Sequence, residues 1–298
     1  MAIGFAQSEL ALRTLRVLED LVVLPRRLSL SLSPETTPDE SEMQRLRGVW
    51  GAALHELDMT AYEAVFHPSN SIPPKYILRP AGRSAEHSPS FDFILIGAGI
   101  RFDESALRAW DIASGMGLGK ARRQFHVRSR SIIDAVGRPA KSKSAWPVTK
   151  ACWPLPGTPE TSPCTLHFQT PLALHHDRNL IEQPTLKDIV AKGCRRIESL
   201  LAADRMADWQ QLKGDLIGSA ADVVSIPRFQ EPLGIARYSG SQRRDFPIAC
   251  VAGRLDLPEG PSATWPLLAA LQWVHVGKGT NIGLGRVDVS STNLRAGF

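Results

Sequence analysis

Cysteine is scarce in this 298-residue chain: there are four, and none forms a Cys-x-x-Cys pair. The scatter of Cys152, Cys164, Cys194 and Cys250 argues against a zinc site or a disulfide scaffold, and reduced thiols are the expected state. No apolar run approaches the roughly 20 residues that a membrane helix needs. Glu9, Glu19 and Asp20 interrupt the first apolar stretch, so it lacks the cationic start and unbroken centre of a secretory leader. A cytoplasmic protein with no membrane partner is expected. Two nucleotide motifs are missing as well. The dinucleotide fingerprint would need glycine where Ile282 stands, and Gly119-Lys120 is followed by Ala121 in place of Ser or Thr. Neither an NAD nor an ATP site is expected, and no cofactor or metal.

What the chain does have is glycine set beside cations. Residues 277–289 read Gly-Lys-Gly-Thr-Asn-Ile-Gly-Leu-Gly-Arg-Val-Asp-Val, a loop that carries Lys278 and Arg286 into a strand-like segment. Glycine admits positive φ and close backbone approach, and successive N–H groups in such a turn can form an anion nest. A tight turn before a strand is the alternative. Residues 115–127 repeat the Gly-Leu-Gly-cation step in Gly117-Leu118-Gly119-Lys120, followed by Arg122 and Arg123, so two related domains are expected. The formal charge is only +5, but cations gather at 122–143 and again at Arg237, Arg243 and Arg244. Such clusters fit a polyanion, with a solvated surface as the alternative.

Along the chain, the mixed spacing of residues 13–23 is read mainly as strand. Residues 42–57 read as a helix with Met43, Leu46, Trp50, Leu54 and Leu57 at three- and four-residue steps; Gly48 and Gly51 in it suggest close packing. Strands follow at 73–78 and 91–96, then a helix over 104–114, the first glycine loop and a strand over 124–133. The proline-rich stretch 137–163 is the best linker candidate. The second half gives a strand over 165–174, a helix over 184–201, strands at 223–226, 234–239 and 246–257, a helix over 261–276 and a strand from 285. Each half runs strand, helix, strands, helix, glycine loop, strand. That order predicts an α+β fold with helices on one face of an antiparallel sheet, divided as domain 1–145, linker 146–163 and domain 164–298.

Arg237-Tyr238-Ser239-Gly240-Ser241-Gln242-Arg243-Arg244, Gly253, the segment 265–275 and Gly277 to Arg286 closely resemble the C-terminal signature of the CRISPR repeat-processing endoribonucleases of the RAMP superfamily. Residues 46–54, Val65-Phe66-His67-Pro68, Pro73-Pro74-Lys75-Tyr76-Ile77-Leu78 and 168–172 stand in that family's order. The resemblance implies tandem ferredoxin-like, RRM-type domains and metal-independent cleavage of precursor CRISPR RNA. In that chemistry a 2′-hydroxyl attacks its own phosphate and leaves a cyclic phosphate. It further implies retention of the mature guide RNA and other CRISPR effector subunits as partners. The competing reading is a non-catalytic RAMP subunit that clasps guide RNA.

Histidine suits the proton transfers of that reaction, and arginine the charge on the phosphorane. His55 is the preferred base, with His67 and His126 as alternatives; a surface role is the competing fate of His55. The Arg26-Arg27 pair, Arg47 and the Arg243-Arg244 pair are the arginines of an electrostatic mechanism without a histidine, with Arg26, Arg47 and Arg243 preferred. His275 reads equally as a packing or an RNA-contact residue. RNA contacts are expected from Arg122, Arg123, Arg237, Tyr238, Arg244, Gly277, Lys278, Gly279 and Arg286. The departures from the common histidine pattern leave a less-studied branch, such as type IV, open.

Overall fold

The computed structural model describes residues 8–32, 40–66, 73–83, 89–119, 121–140, 145–150, 159–239 and 244–291. The chain opens with helix α1 (Glu9–Leu18), where a strand over 13–23 is the sequence expectation. Ser8 decides the difference: its Oγ accepts the Ala11 N–H and caps the helix, and Ala11, Thr14, Val17 and Leu18 then share one buried face. Strand β1 (Val22–Leu32) begins only after that turn.

The first half continues with α2 (Glu40–Leu57), the single turn α3 (Met59–Ala61) and a π-helical turn, Tyr62–Phe66. Strands β2 (Tyr76–Arg83) and β3 (Pro89–Ile96), helix α4 (Asp103–Met116) and strand β4 (Phe125–Ile132) complete it. The antiparallel sheet runs β2-β3-β1-β4, and a short β5 (Trp146–Pro147) pairs with β1. Trp50, Trp110, Phe91 and Phe93 fill the space beneath α2 and α4. Trp50 is fully buried and donates its Nε1–H to the Ala106 carbonyl at 3.0 Å.

The second half repeats the plan. Strand β6 (Cys164–Phe168) leads to the small hairpin of β7 (His175–His176) and β8 (Asn179–Leu180), then to helices α5 (Leu186–Glu198) and α6 (Met206–Ala221). Strands β9 (Ile226–Phe229), β10 (Leu233–Ser239), β11 (Arg244–Cys250) and β12 (Gly253–Leu257) follow, then α7 (Trp265–Val274) and β13 (Val287–Ser291). Its sheet order is β13-β6-β12-β9, the counterpart of β4-β1-β3-β2. Both halves are therefore ferredoxin-like, with a βαββαβ order and the glycine loop just before the last strand. Helix α6 and the β10–β11 hairpin are additions to that plan. The stretch read as one strand over 246–257 is two, β11 and β12.

The halves are interlocked. Helix α1 packs on α6 and α7 of the second half, with Ala11 against Ala263 and Trp265. The candidate linker is stitched down at both ends: Val148 N–H donates to the Leu21 carbonyl, Trp146 meets Trp273 edge-on at 4.5 Å, and Ser8 donates to Glu160. One face of the first sheet, with Val23, Ile77, Ile94 and Ile96, is buried in the core of the second half. On that face Asp92, fully buried, accepts hydrogen bonds from Arg27 Nε at 2.9 Å and Arg79 Nε at 3.1 Å. Arg79 also crosses to the Gln272 carbonyl and lies 4.6 Å from the Trp273 ring. Among the described residues no helix is long and apolar enough to cross a membrane.

Candidate functional site

Helix α2, the π-helical turn, strand β2 and the second glycine loop meet in one place. Gly51 on α2 makes the meeting possible: a Cβ there would lie 2.3 Å from Phe66 Cε2, so only glycine lets the Phe66 ring come this close. Phe66 then lies under the Arg47 guanidinium, with Cζ 4.4 Å from the ring centroid. Tyr62 stacks on Phe66 at 5.0 Å, and His55 stands edge-on to Tyr62 at 4.9 Å. Arg47 and His55 are eight residues apart, about 12 Å along the helix axis. The two rings form a shelf that bridges that gap. π-turns of this kind occur often at functional sites.

Tyr76 closes the far end of the shelf. Its ring is fully buried against Trp50 and Phe66, and its hydroxyl oxygen accepts the Arg47 Nε–H at 2.8 Å. The Asn281 side chain, from the second glycine loop, bonds the same hydroxyl. Burial pushes the Tyr76 phenol up, against smaller opposing effects of Arg47 and Asn281, so it stays a neutral hydroxyl.

The glycine loop itself is half interface and half surface. Thr280, Ile282 and Leu284 are buried, the latter two in the core of the first half, while Lys278 is exposed and Arg286 half-buried. Six of its amides are tied to protein. Lys278 N–H goes to the Ala173 carbonyl, Gly285 N–H to Pro171, Arg286 N–H to Thr170 Oγ1, and Ile282, Gly283 and Leu284 bond within the loop. The backbone grips protein, and Lys278 offers the charge outward.

Other expected site residues divide. Arg26 is buried and its Nε donates to Asp103 at 2.7 Å, a two-bond ion pair that holds α4 to β1 and does not bring Arg26 to the shelf. Arg123 lies 2.7 Å from buried Glu42, whereas Arg122 is exposed with φ +47° in the first loop. Gly277 and Gly279 take positive φ beside Lys278. In the backbone register of the β10–β11 hairpin Arg237 stands opposite Phe246, Tyr238 opposite Asp245 and Arg244 opposite Ser239, and β10 runs against α2. His67, Lys120 and Arg243 lie outside the described residues. His126 is exposed on β4, opposite Ser31 of β1.

His275 is fully buried at the end of α7, with Nδ1 3.2 Å from the Leu284 carbonyl. Burial holds its pKa well below the usual imidazole value, and the nearby Arg79 and Arg286 charges reinforce this. It packs the base of the glycine loop and is neutral at pH 7. Tyr76 and Asn281 are the site residues that sequence reasoning missed. Only the register of β2 and the docking of the loop bring them to Arg47.

Residues 166–287 match the family model of the CRISPR-associated endoribonuclease Cas6. The matched stretch contains the β10–β11 hairpin and the second glycine loop, where the sequence resemblance is also most specific. In fold, the chain is similar to Thermus thermophilus Cas6, with a TM-score of 0.58 at 14% identity over 91% of this chain and 99% of that one. A Cas6 solved as a product complex gives 0.57 at 16% identity, covering 90% and 99% of the two chains. A further Cas6 product complex gives 0.54 at 15% identity, covering 91% and 100%. At such identities the likeness is one of fold. No curated protein matches the chain in sequence.

Proposed function

We propose that this chain, whose residues 166–287 match the Cas6 family model, is a CRISPR-associated endoribonuclease that cuts precursor CRISPR RNA within its repeats. The observation that supports this best is the meeting of the family-matched glycine loop with α2: Asn281 of the loop and Arg47 of the helix share one hydroxyl. A strand of RNA held at Lys278 and the hairpin would pass the shelf that carries Arg47 and His55.

The reaction that suits these groups is transesterification without a metal. The 2′-hydroxyl oxygen beside the scissile phosphate forms a bond to phosphorus while the bond from phosphorus to the 5′ oxygen breaks. The products are a 2′,3′-cyclic phosphate and a free 5′-hydroxyl. His55 takes the proton from the attacking hydroxyl, solvent returns one to the leaving oxygen, and Arg47 stabilises the charge that builds on phosphorus. The intramolecular nucleophile means that in-line alignment is the main task left to the protein. The guide RNA then stays bound at the loop and hairpin.

The test is incubation of the purified protein with repeat RNA in EDTA. Cutting should persist, and it should stop when the nucleotide 5′ of the cleaved bond carries a 2′-deoxy sugar. Binding without cutting would assign the protein the part of a guide-clasping subunit instead.

A further inference from the structure

Arg47 is fixed more tightly than a surface arginine on a helix. Among the described residues it donates only through Nε, to Tyr76, while Phe66 supports one face of the guanidinium. Both Nη groups are left for a ligand. A guanidinium held on one edge and one face, with its other donors unspent, is preorganised for a doubly charged phosphorane.

Tyr76 does not depend on the first half alone. Its hydroxyl is shared between Arg47 on α2 and Asn281 in the turn Thr280–Ile282, which belongs to the second half. That turn is pressed on β2 so closely that a Cβ on Gly283 would lie 2.8 Å from the Leu78 carbonyl oxygen. The aim of Arg47 is thus set by a contact made across the boundary between the halves.

We propose that Tyr76 and Asn281 are positioning residues for Arg47, and that cleavage depends through them on the seating of the second glycine loop. This rests on the reading of the chain as a repeat-cutting ribonuclease. Tyr76 remains a neutral hydroxyl and moves no proton in the reaction; it sets where the guanidinium points.

The experiment is single-turnover cleavage of repeat RNA at saturating protein, with affinity and melting temperature measured on the same samples. Tyr76→Phe keeps the ring in its pocket and removes only the shared oxygen, and Asn281→Ala removes the partner from the other half. Each should slow cutting by roughly 10- to 100-fold, the scale on which small misplacements act, while affinity stays within about twofold. With Arg47→Ala as background, the further loss from Tyr76→Phe should shrink to about twofold or less, because the two act as a unit. Arg47→Lys should not rescue, since ammonium lacks the fork that Tyr76 aligns.

Wild-type cleavage rates in both Tyr76→Phe and Asn281→Ala would overturn the proposal, and so would fully additive losses with Arg47→Ala. If Tyr76→Phe fails to fold, Asn281→Ala, at a half-buried position, carries the test alone. A wild-type protein that binds repeat RNA and never cuts it would sink the ribonuclease reading itself, a result distinct from either variant outcome.

Discussion

The two Gly-Leu-Gly loops are near copies in sequence and different devices in the structure. In the first, Leu118 and Arg123 exchange both backbone hydrogen bonds, so the loop closes on itself. A Cβ on Gly119 would find nothing nearer than Arg45 Cδ at 3.9 Å. In the second, a Cβ on Gly285 would sit 1.8 Å from the Val276 carbonyl oxygen, and Ile282 and Leu284 are built into the core of the opposite half. The same local words therefore serve as a turn closed within its own half in one case, with Leu118 buried beneath it, and as a joint between the halves in the other. Gly119 in the first answers to φ alone, whereas Gly285 in the second answers to φ and to space.

The largest test of that contrast is Gly285→Ala. It combines φ +67° with a backbone collision, and should cost about 3–5 kcal/mol in urea unfolding, the range of severe single substitutions. Gly119→Ala, at a similar φ of +66° but in open space, should cost only about 1–2 kcal/mol. Equal costs for the two would erase the distinction.

Next comes the ground on which the second loop is seated. Asp92→Ala leaves the buried Arg79 without its carboxylate beside the residue that Gly283 abuts, and should destabilise by about 3 kcal/mol. The matching ion pair at the first loop, Arg45 with Glu42, has an arginine side chain that is 52% exposed, and Arg45→Ala should change stability by no more than about 1 kcal/mol.

A pH titration separates the loops by a smaller amount. His275 under the second loop has a depressed pKa, so the unfolded chain binds its proton first as pH falls below the ordinary imidazole value of about 6.5. Stability is complete above that pH and should decline by up to about 1.4 kcal/mol per unit below it. His275→Asn, which can keep a bond to the Leu284 carbonyl, should flatten the slope, seen as chemical unfolding at pH 7 and pH 5. Among the described residues, the histidine nearest in sequence to the first loop, His126, is exposed. Smallest is the effect on RNA binding of single exposed cations. Lys278→Ala and Arg122→Ala should each lower the salt slope of repeat-RNA affinity by about 1. A change for Lys278 alone would mark the first loop as bystander.

Much of the architecture was legible in the chain. The three- and four-residue spacing of Met43, Leu46, Trp50 and Leu54 marks α2, and the recurrence of the glycine step before a final strand marks two related halves. Two helices escaped for different reasons. In α1, charged residues are so closely interleaved with Leu and Val that the period is ambiguous, and a serine cap decides it. In α6, Trp209, Leu212, Leu216 and Ala220 have helical spacing, but Gly214 and Gly218 mask it. The site was half legible. His55 and Arg47 could be placed on one helix, but their connection through Tyr62 and Phe66 depends on a π-turn that no short motif announces. Asn281 reaches Tyr76 only through the docking of two domains, which a local reading cannot see. Arg26 looked like a candidate because its partner Asp103 is 77 residues away.

Helix α1 is the first of the described elements along the chain, yet its partners, α6 and α7, lie in the second half. On the ribosome its apolar stripe can be covered in part once α6 has been made, and in full only after α7, which ends at Val274. The halves therefore cannot mature as two independent beads in order of translation. A gene split between the domains would leave each product with an orphaned surface, and assembly of the whole would close last around its own beginning.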